Sequence, residues 1–359
     1  MTHPITPPAS VCILRLSALG DTCHVVPVVR TLQQTWPATR LTWIIGRTEA
    51  RLMSLLPGIE FITIDKGAGL RALPALRAAL KGRRFDVLLH MQLSLRASLV
   101  SAAVPAVRRI GFDRARAREL QWLFTNERIP ARGAEHVLDS FQGFLDAIEV
   151  PRKPLLWDLP LPQDARDYAA ALIPDADRPT LILSPCSSHA LRNWRADRYA
   201  AVIEHAVRRH AMRVLLCGGP SQLERQMGAA IERHARVDFI NQIGRDTLPQ
   251  MLALLARATV LISPDSGPVH MATMVATPVI GLYAATRPQR VGPYFSRQWC
   301  VDRFPAAARR FCGCEPAQLP WHRKIEQPGV MDLIEVPDVC ERLDALLADL
   351  ARSPARIEP

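Results

Sequence analysis

Short apolar runs and amphipathic stretches alternate along most of the chain. Runs of four to six apolar residues predict buried strands, and the intervening stretches carry apolar positions at helical spacing. In the first half the pattern predicts strands at 11–16, 41–45, 61–64 and 85–90, and helices at 23–35 and 70–80. This alternation is typical of βαβ units, which form a parallel sheet covered by helices on both faces.

The alternation restarts after a proline-rich stretch. Residues 150–164 carry four prolines and little periodicity, as expected of a linker. The second half then predicts strands at 180–184, 213–217, 238–241, 260–263 and 279–282, and helices at 196–209, 221–234, 248–256, 270–275 and 336–352. We therefore predict an α/β protein with two doubly wound domains, at 1–165 and 166–335. A C-terminal helix and tail at 336–359 would cross back to the first domain.

Composition indicates a well-packed protein. Of the 359 residues, 48% are hydrophobic and 22% are charged, which excludes global disorder. No apolar run approaches the roughly 20 residues that span a bilayer, and the N-terminus does not resemble a signal peptide. We expect a cytoplasmic protein with reduced cysteines. The Cys312-Gly-Cys314 pair lacks a second close pair, so we expect no metal.

The positive charge is concentrated in one region. The chain has 45 basic and 34 acidic residues, a formal net charge of +11, and only four of the basic residues are lysine. Residues 66–132, the basic segment, hold 14 basic and 4 acidic residues. Arginine favours planar contacts to phosphate or carboxylate, so this segment could meet nucleic acid, an anionic membrane or an acidic substrate. A solvated basic surface is the alternative.

The loop after the first strand carries a candidate general base. Residues 17–22 read Ser-Ala-Leu-Gly-Asp-Thr and lead into the next helix. Gly20 permits close backbone approach to a ligand, and Asp21 falls at the helix N-terminus, where a carboxylate is well placed to accept a proton. Asp21 could instead only cap the helix. The loop lacks the G-x-G-x-x-G pattern of dinucleotide sites and the lysine of a P-loop.

A second strand-to-helix loop is suited to an anion. Residues 263–270 place Ser266 and Gly267 at a helix start, with Asp265 and His270 on either side. Backbone N–H groups and the helix dipole at such a start favour a diphosphate. An ordinary helix start, with Pro268 in its first turn, is the alternative.

Two weaker motifs follow strands of the second half. Residues 184–194 combine Ser187 and Ser188 with Arg192, a set suited to phosphate oxygens. Gly218 and Glu224 follow the next strand, where a carboxylate could accept hydrogen bonds from ribose hydroxyls. A serine-rich turn and a glycine turn explain these motifs equally well.

Together these motifs resemble glycosyltransferase family 9, the ADP-heptose:lipopolysaccharide heptosyltransferases. Residues 13–45 contain the family's apolar strand, S-x-x-G-D loop and proline-containing helix, and residues 263–288 are similar to its D-[ST]-G-x-x-H-x-A segment. Residues 184–199 match its hydroxyl-rich loop, and residues 111–124 resemble the heptosyltransferase I branch. The resemblance covers nearly the whole chain.

The resemblance implies a GT-B fold, with two Rossmann-like domains facing a central cleft. It implies inverting, metal-independent transfer of heptose from ADP-heptose to a Kdo residue of the inner core on lipid A. The protein would act as a peripheral monomer at the cytoplasmic face of the inner membrane, without nucleic acid. The alternatives are another family 9 donor or acceptor, as in heptosyltransferase II or a later core enzyme, a sugar-nucleotide 2-epimerase, and a non-enzymatic module binding lipid or nucleic acid.

The resemblance also implies roles for the motif residues. Asp21 would be the base, and Arg192 stands where the family usually has lysine near the donor phosphates. The implied donor-binding residues are Ser187, Ser188, Gly218, Glu224, Asp265, Ser266, Gly267 and His270. The basic segment would bind Kdo carboxylates and lipid A phosphates, with Gly20, Arg83, Arg84, Arg114, Arg116 and Arg118 as predicted acceptor residues.

Overall fold

The computed structural model describes residues 6–175 and 178–352. Contacts between Cα atoms divide the chain into two compact units, Met1–Pro160 and Leu161–Pro359. The sequence places this boundary after residue 165, inside the helix Gln163–Leu172. That helix packs against the helix Leu248–Arg257, which explains why it belongs to the second unit.

The first unit contains a six-stranded parallel sheet. Its strands are β1 (Ser10–Leu14), β2 (Arg40–Gly46), β3 (Glu60–Ile64), β4 (Phe85–His90), β5 (Ala106–Gly111) and β6 (Glu127–Arg128). The order is β3-β2-β1-β4-β5-β6, with every neighbouring pair parallel. This is the dinucleotide-fold order, in which the direction of winding reverses between β1 and β4.

Five helices accompany this sheet. They are α1 (Leu19–Thr35), α2 (Arg47–Met53), α3 (Leu73–Ala79), α4 (Leu95–Ala102) and α5 (Val137–Ala147). The helix predicted at 70–80 is present as α3 but begins only at Leu73, since a 3-10 turn at Lys66–Ala72 precedes it. The reason is local: Gly69 has φ of 56°, which interrupts helical geometry, and Pro74 restarts the helix in its first turn.

The second unit repeats the architecture. Its strands are β7 (Thr180–Leu183), β8 (Arg213–Leu216), β9 (Ile240–Asn241), β10 (Val260–Pro264), β11 (Val279–Tyr283) and β12 (Val301–Asp302). Their order is β12-β11-β10-β7-β8-β9, all parallel, so the winding reverses between β7 and β10. The predicted class of two doubly wound α/β units is therefore confirmed.

The helices of the second unit close its core. They are α6 (Gln163–Leu172), α7 (Ala196–His210), α8 (Gln222–His234), α9 (Leu248–Arg257), α10 (Gly267–Met274), α11 (Pro288–Val291), α12 (Phe304–Ala307) and α13 (Val336–Arg352). Helix α13 packs on α7, β11 and β12, and buries Val339, Leu343 and Leu346 in the core of this unit. Its predicted crossing to the first domain stays a prediction.

The central strands explain the apolar runs of the sequence. Every residue of β1, β7, β10 and β11 is buried, as expected of parallel strands covered on both faces. No helix in the described part of the chain has both the length and the apolar character needed to cross a membrane.

Candidate active site

Asp21 lies in the first turn of α1, just beyond the carboxyl end of β1. Ligands of doubly wound sheets bind at this edge, where the winding reverses. The Asp21 carboxylate accepts a hydrogen bond from the Ala18 N–H over 3.3 Å, so it does cap the helix. Its side chain is still 32% exposed, so capping leaves it accessible to a substrate. Gly20, beside it, is buried in the same turn.

Arg15 holds the Asp21 carboxylate in place. The guanidinium forms an ion pair with Asp21 Oδ2 and donates to the Met91 carbonyl over 2.6 Å. It also lies 5.2 Å from the centroid of the Phe141 ring. Since Met91 directly follows β4, Arg15 joins the two strands between which the winding reverses. The hydrogen bonds found among the described residues use Oδ2, which leaves Oδ1 to accept a proton.

Gln92 shapes the loop that presents Asp21. Its Oε1 accepts hydrogen bonds from the backbone N–H groups of Leu16 and Ser17, over 2.6 and 3.3 Å. Nearby, His90 ends β4 and is wholly buried. Burial lowers the pKa of His90 to about 3, and the charges of Arg109 and Arg15 add to this effect. His90 is therefore neutral at physiological pH and adds no positive charge to this region.

Two of the predicted acceptor arginines have structural partners. Arg83 forms an ion pair with Glu60 over 2.6 Å. Arg116 pairs with both Asp113 and Glu135, and it donates to the Ser140 hydroxyl over 2.6 Å. These contacts use the guanidinium groups of Arg83 and Arg116 within the first unit, and the role of both residues in acceptor binding stays a prediction.

The remaining predicted arginines face solvent. Arg84, Arg114 and Arg118 are exposed and form no ion pair with any residue that the structure describes. Elsewhere in the basic segment, positive charge is neutralised by acids. The pairs are Lys66 with Glu49, Arg108 with Glu127, and Arg132 with Asp146. The charge available to a ligand is therefore smaller than the sequence suggests.

The predicted donor residues follow three neighbouring strands of the second unit. Residues 184–192 follow β7, Gly218 and Glu224 follow β8, and residues 265–270 follow β10. The Ser263 hydroxyl bonds the Ser184 carbonyl over 2.9 Å and the Ser266 hydroxyl over 2.7 Å, which ties the ends of β7 and β10 together. The donor candidates therefore share one edge, at the point where the winding reverses.

Arg192 is the centre of a charged cluster at this edge. Its Nη1 lies 3.3 Å from Asp265 Oδ2, and its Nε and Nη2 donate to Glu326 Oε1 over 2.7 and 2.5 Å. The Arg192 side chain is only 14% exposed. The structure thus joins two predicted residues, Arg192 and Asp265, with one that the sequence did not single out, Glu326.

Lys324 adds a second cation to this cluster. Partial desolvation lowers the pKa of Lys324, and the Arg192 charge lowers it further. Partial burial opposes ionisation of Glu326, but the hydrogen bonds and charge of Arg192 hold its pKa below the ordinary value. Between these two residues, Ile325 is buried and donates its backbone N–H to the Ala285 carbonyl over 2.8 Å. This anchor places Lys324 and Glu326 beside the end of β11.

Ser187 and Ser188 have different environments. Ser187 is buried, and its backbone N–H donates to Asn193 Oδ1 over 2.7 Å, whereas Ser188 is exposed.

Ser266 adopts an extended conformation before α10, and its side chain makes no capping hydrogen bond. The first N–H groups of α10, beginning at Gly267, therefore receive no side-chain cap from Ser266. His270 is buried in the same helix.

Glu224 is held by its own turn. Its carboxylate accepts hydrogen bonds from the Gly219 N–H over 2.7 Å and from the Ser221 hydroxyl over 2.6 Å. A Cβ at Gly219 would lie 2.9 Å from Glu224 Oε2, so a larger residue there would displace the Glu224 carboxylate. Burial raises the pKa of nearby Asp246 to about 6, and the Glu224 charge adds to the shift. Asp246 is a further acid that the sequence motifs did not indicate.

Comparison with known proteins identifies the family of the chain and supports its fold. The model of glycosyltransferase family 9 (heptosyltransferase) matches residues 73–311. The lipopolysaccharide core heptosyltransferase OpsX of Haemophilus influenzae is 39% identical, over 94% of this chain and 97% of its own. A family 9 glycosyltransferase of Veillonella parvula has a TM-score of 0.78 at 19% identity, covering 95% of this chain and 98% of its own.

The Escherichia coli heptosyltransferase WaaC, solved with ADP, has a TM-score of 0.71 at 18% identity, covering 94% of this chain and 99% of its own. At these identities the structural likeness shows the fold, and it confirms the predicted GT-B class. The family model matches more than half of the chain, and the Haemophilus relative is similar along almost its whole length. The chain is therefore a glycosyltransferase and belongs to glycosyltransferase family 9.

Proposed function

We propose that the protein is a heptosyltransferase of the lipopolysaccharide core, which transfers heptose from ADP-heptose to a Kdo residue with inversion. The proposal rests on the charged side chains that lie where the direction of winding reverses in each sheet. In the first unit this point holds a carboxylate oriented by Arg15, and in the second it holds the Arg192–Lys324 cluster. The Haemophilus relative is named as a core heptosyltransferase, and the E. coli structure contains ADP.

In the proposed reaction, Asp21 Oδ1 accepts the proton of the acceptor hydroxyl. The hydroxyl oxygen attacks the anomeric carbon from the face opposite the leaving group, the bond to the diphosphate breaks, and ADP departs with the bonding electron pair. Negative charge develops on the diphosphate, and fixed positive groups lower the barrier to its departure. Arg192, Lys324 and the N–H groups at the start of α10 would supply this stabilisation. The neighbouring Glu224 is the proposed ligand of the ribose hydroxyls.

Release of nucleotide by purified protein tests the function. We expect turnover with ADP-heptose and Kdo-bearing lipid A, and none with UDP- or GDP-sugars or with lipid A that lacks Kdo. Activity only on an acceptor that already carries heptose would assign the protein to heptosyltransferase II or a later core step. Conversion of the donor without any acceptor would support an epimerase instead.

The acceptor is a lipid, and we propose that a patch on the first unit brings the enzyme to the cytoplasmic face of the inner membrane. The docking patch consists of four exposed apolar residues and two exposed arginines: Leu95, Leu120, Trp122, Leu123, Arg114 and Arg118. Trp122 is 47% exposed and Leu123 is 60% exposed. Apolar and aromatic side chains beside arginine suit the headgroup region of an anionic bilayer.

A buried glutamine holds this patch in its outward orientation. Gln121 Nε2 donates to the His90 carbonyl over 2.9 Å, and Gln121 Oε1 accepts the Phe112 N–H over 3.0 Å. Glu119 accepts the N–H of Leu95 over 2.5 Å, which ties the patch to the start of α4. The apolar residues on either side of Gln121 are thus exposed by a rigid turn.

Binding to lipid vesicles tests the docking patch. Replacing Arg114 and Arg118 together by glutamine should weaken binding to phosphatidylglycerol-rich vesicles by about tenfold to thirtyfold, since each basic residue contributes about 1 kcal/mol near such a surface. Trp122→Ser should weaken it further, whereas Ile240→Ser, at an exposed apolar position in the second unit, should not. If vesicle binding does not change with salt or with these substitutions, the docking patch does not bind the membrane.

A further inference from the structure

A cluster of metal-ligating side chains lies in the second unit, on helices that the proposed transfer does not use. His205 and His210 belong to the C-terminal part of α7, and Asp344 belongs to α13. The Nε2 atoms of both histidines lie 2.6 Å from the same oxygen, Asp344 Oδ1. The two imidazole rings meet edge to face, with centroids 5.6 Å apart.

We propose that His205, His210 and Asp344 bind a zinc ion that joins α7 to α13. One ligand atom from each residue lies within 4.8 Å of the others, so a single ion can reach all three. Two imidazole nitrogens and one carboxylate oxygen form a donor set that zinc commonly accepts, with water as a fourth ligand. The three side chains are between 21% and 30% exposed, which leaves this fourth position open to solvent.

The surroundings orient the carboxylate for this role. Arg209 Nε forms an ion pair with Asp344 Oδ2 over 3.1 Å, and Asp344 Oδ1 is the oxygen that contacts the two imidazoles. Partners of this kind orient metal ligands in many proteins. The C-terminal end of α7, which His210 terminates, carries partial negative charge that favours a cation.

The ligand distances require only a small adjustment. Zinc bonds of about 2.0–2.2 Å in a tetrahedral site place neighbouring ligand atoms about 3.3–3.5 Å apart. The imidazoles must therefore withdraw from Asp344 by less than about 1 Å, and partly exposed side chains at a helix end can do so. The bound ion would tie α13 to α7, and α13 carries Val339, Leu343 and Leu346 into the core. The ion would thus stabilise the unit and take no part in transfer.

The experiment uses full-length protein that has been stripped with a chelator and then titrated with Zn²⁺ or Co²⁺. We expect one equivalent to bind, a Co²⁺ absorption spectrum without thiolate charge transfer, and a rise in Tm that depends on the metal concentration. His205→Ala and His210→Ala should each weaken binding at least about tenfold. Asp344→Asn keeps the shape of the side chain and should do the same, so the test survives if a histidine variant misfolds.

Two controls separate this site from others on the chain. Cys312→Ser combined with Cys314→Ser should leave Co²⁺ binding unchanged, as should His234→Ala at an exposed position on α8. The proposal is overturned if no equivalent binds, if binding persists in all three ligand variants, or if it is lost in the cysteine variant. If no equivalent binds, His205, His210 and Asp344 form only ion pairs between α7 and α13. The readouts are metal binding and Tm, so they do not depend on the proposed transferase activity.

Discussion

Turnover should fall by at least about 100-fold in the Asp21→Asn variant, the range typical of losing a general base. The amide oxygen can still accept the Ala18 N–H and cap α1, so the fold and the affinity for the donor should remain near those of the unaltered protein. The measurement is steady-state release of ADP, with the free energy of unfolding checked by urea denaturation. Turnover like that of the unaltered protein would remove Asp21 as the base.

Asp65→Asn is the matched control for this substitution. Asp65 lies in the same unit and pairs with Arg47 on the surface, so its loss should leave turnover unchanged.

Arg15→Met tests whether Arg15 orients the Asp21 carboxylate. Without the guanidinium, the carboxylate keeps its charge but loses its orienting partner, and we expect a lower kcat with an altered pH profile. A change in stability alone, with an unaltered pH profile, would make Arg15 a structural residue only.

Arg192→Ala should weaken ADP binding by about tenfold to a hundredfold, because a hydrogen bond to a charged group contributes about 1.5–3 kcal/mol. It should lower kcat as well, since charge on the leaving diphosphate increases in the transition state. Calorimetric titration with ADP measures the first effect, and single-turnover transfer measures the second. Lys324→Ala should show the same two effects with smaller size, because Lys324 is the more exposed of the two cations.

Arg195→Ala is the control for this pair. Arg195 lies three residues after Arg192 in the chain. Its side chain is 58% exposed and forms an ion pair with Asp197 at the surface. Its loss should leave ADP affinity unaltered. If Arg192→Ala binds ADP as tightly as this control, the diphosphate lies elsewhere and the charged cluster around Arg192 is structural.

The central strands and most long helices of both units were predictable because their signals are local. β1, β2, β4 and β10 are apolar runs bounded by polar loops, and the structure matches the predicted positions to within about one or two residues. Strands β5, β6 and β12 were not predicted. β5 reads Ala-Val-Arg-Arg-Ile-Gly and is only partly buried, and β6 and β12 have two residues each. Such segments lack a periodicity of their own and become strands only through their neighbours.

The charge that the basic segment presents to solvent was also only partly predictable from the sequence. Its arginines are equivalent in the sequence, yet Arg116 sits between Asp113 and Glu135 while Arg114 faces solvent. A count of charges does not distinguish these cases, because it does not show which arginine each acid contacts, and some of the acids come from other parts of the chain. Glu60 and Glu135, for example, lie outside the segment whose arginines they bind.

The sequence by itself determined the α/β class, the two-unit organisation and the loops that carry Asp21, Arg192 and Asp265, because each depends on residues close together in the chain. Only the tertiary structure decided which distant side chains meet at those loops. Arg192 contacts Glu326, 134 residues later, because the end of β11 and buried Ile325 place that segment beside β10. Strand order brings such residues together, and strand order is set by packing of the whole unit, which local periodicity does not encode.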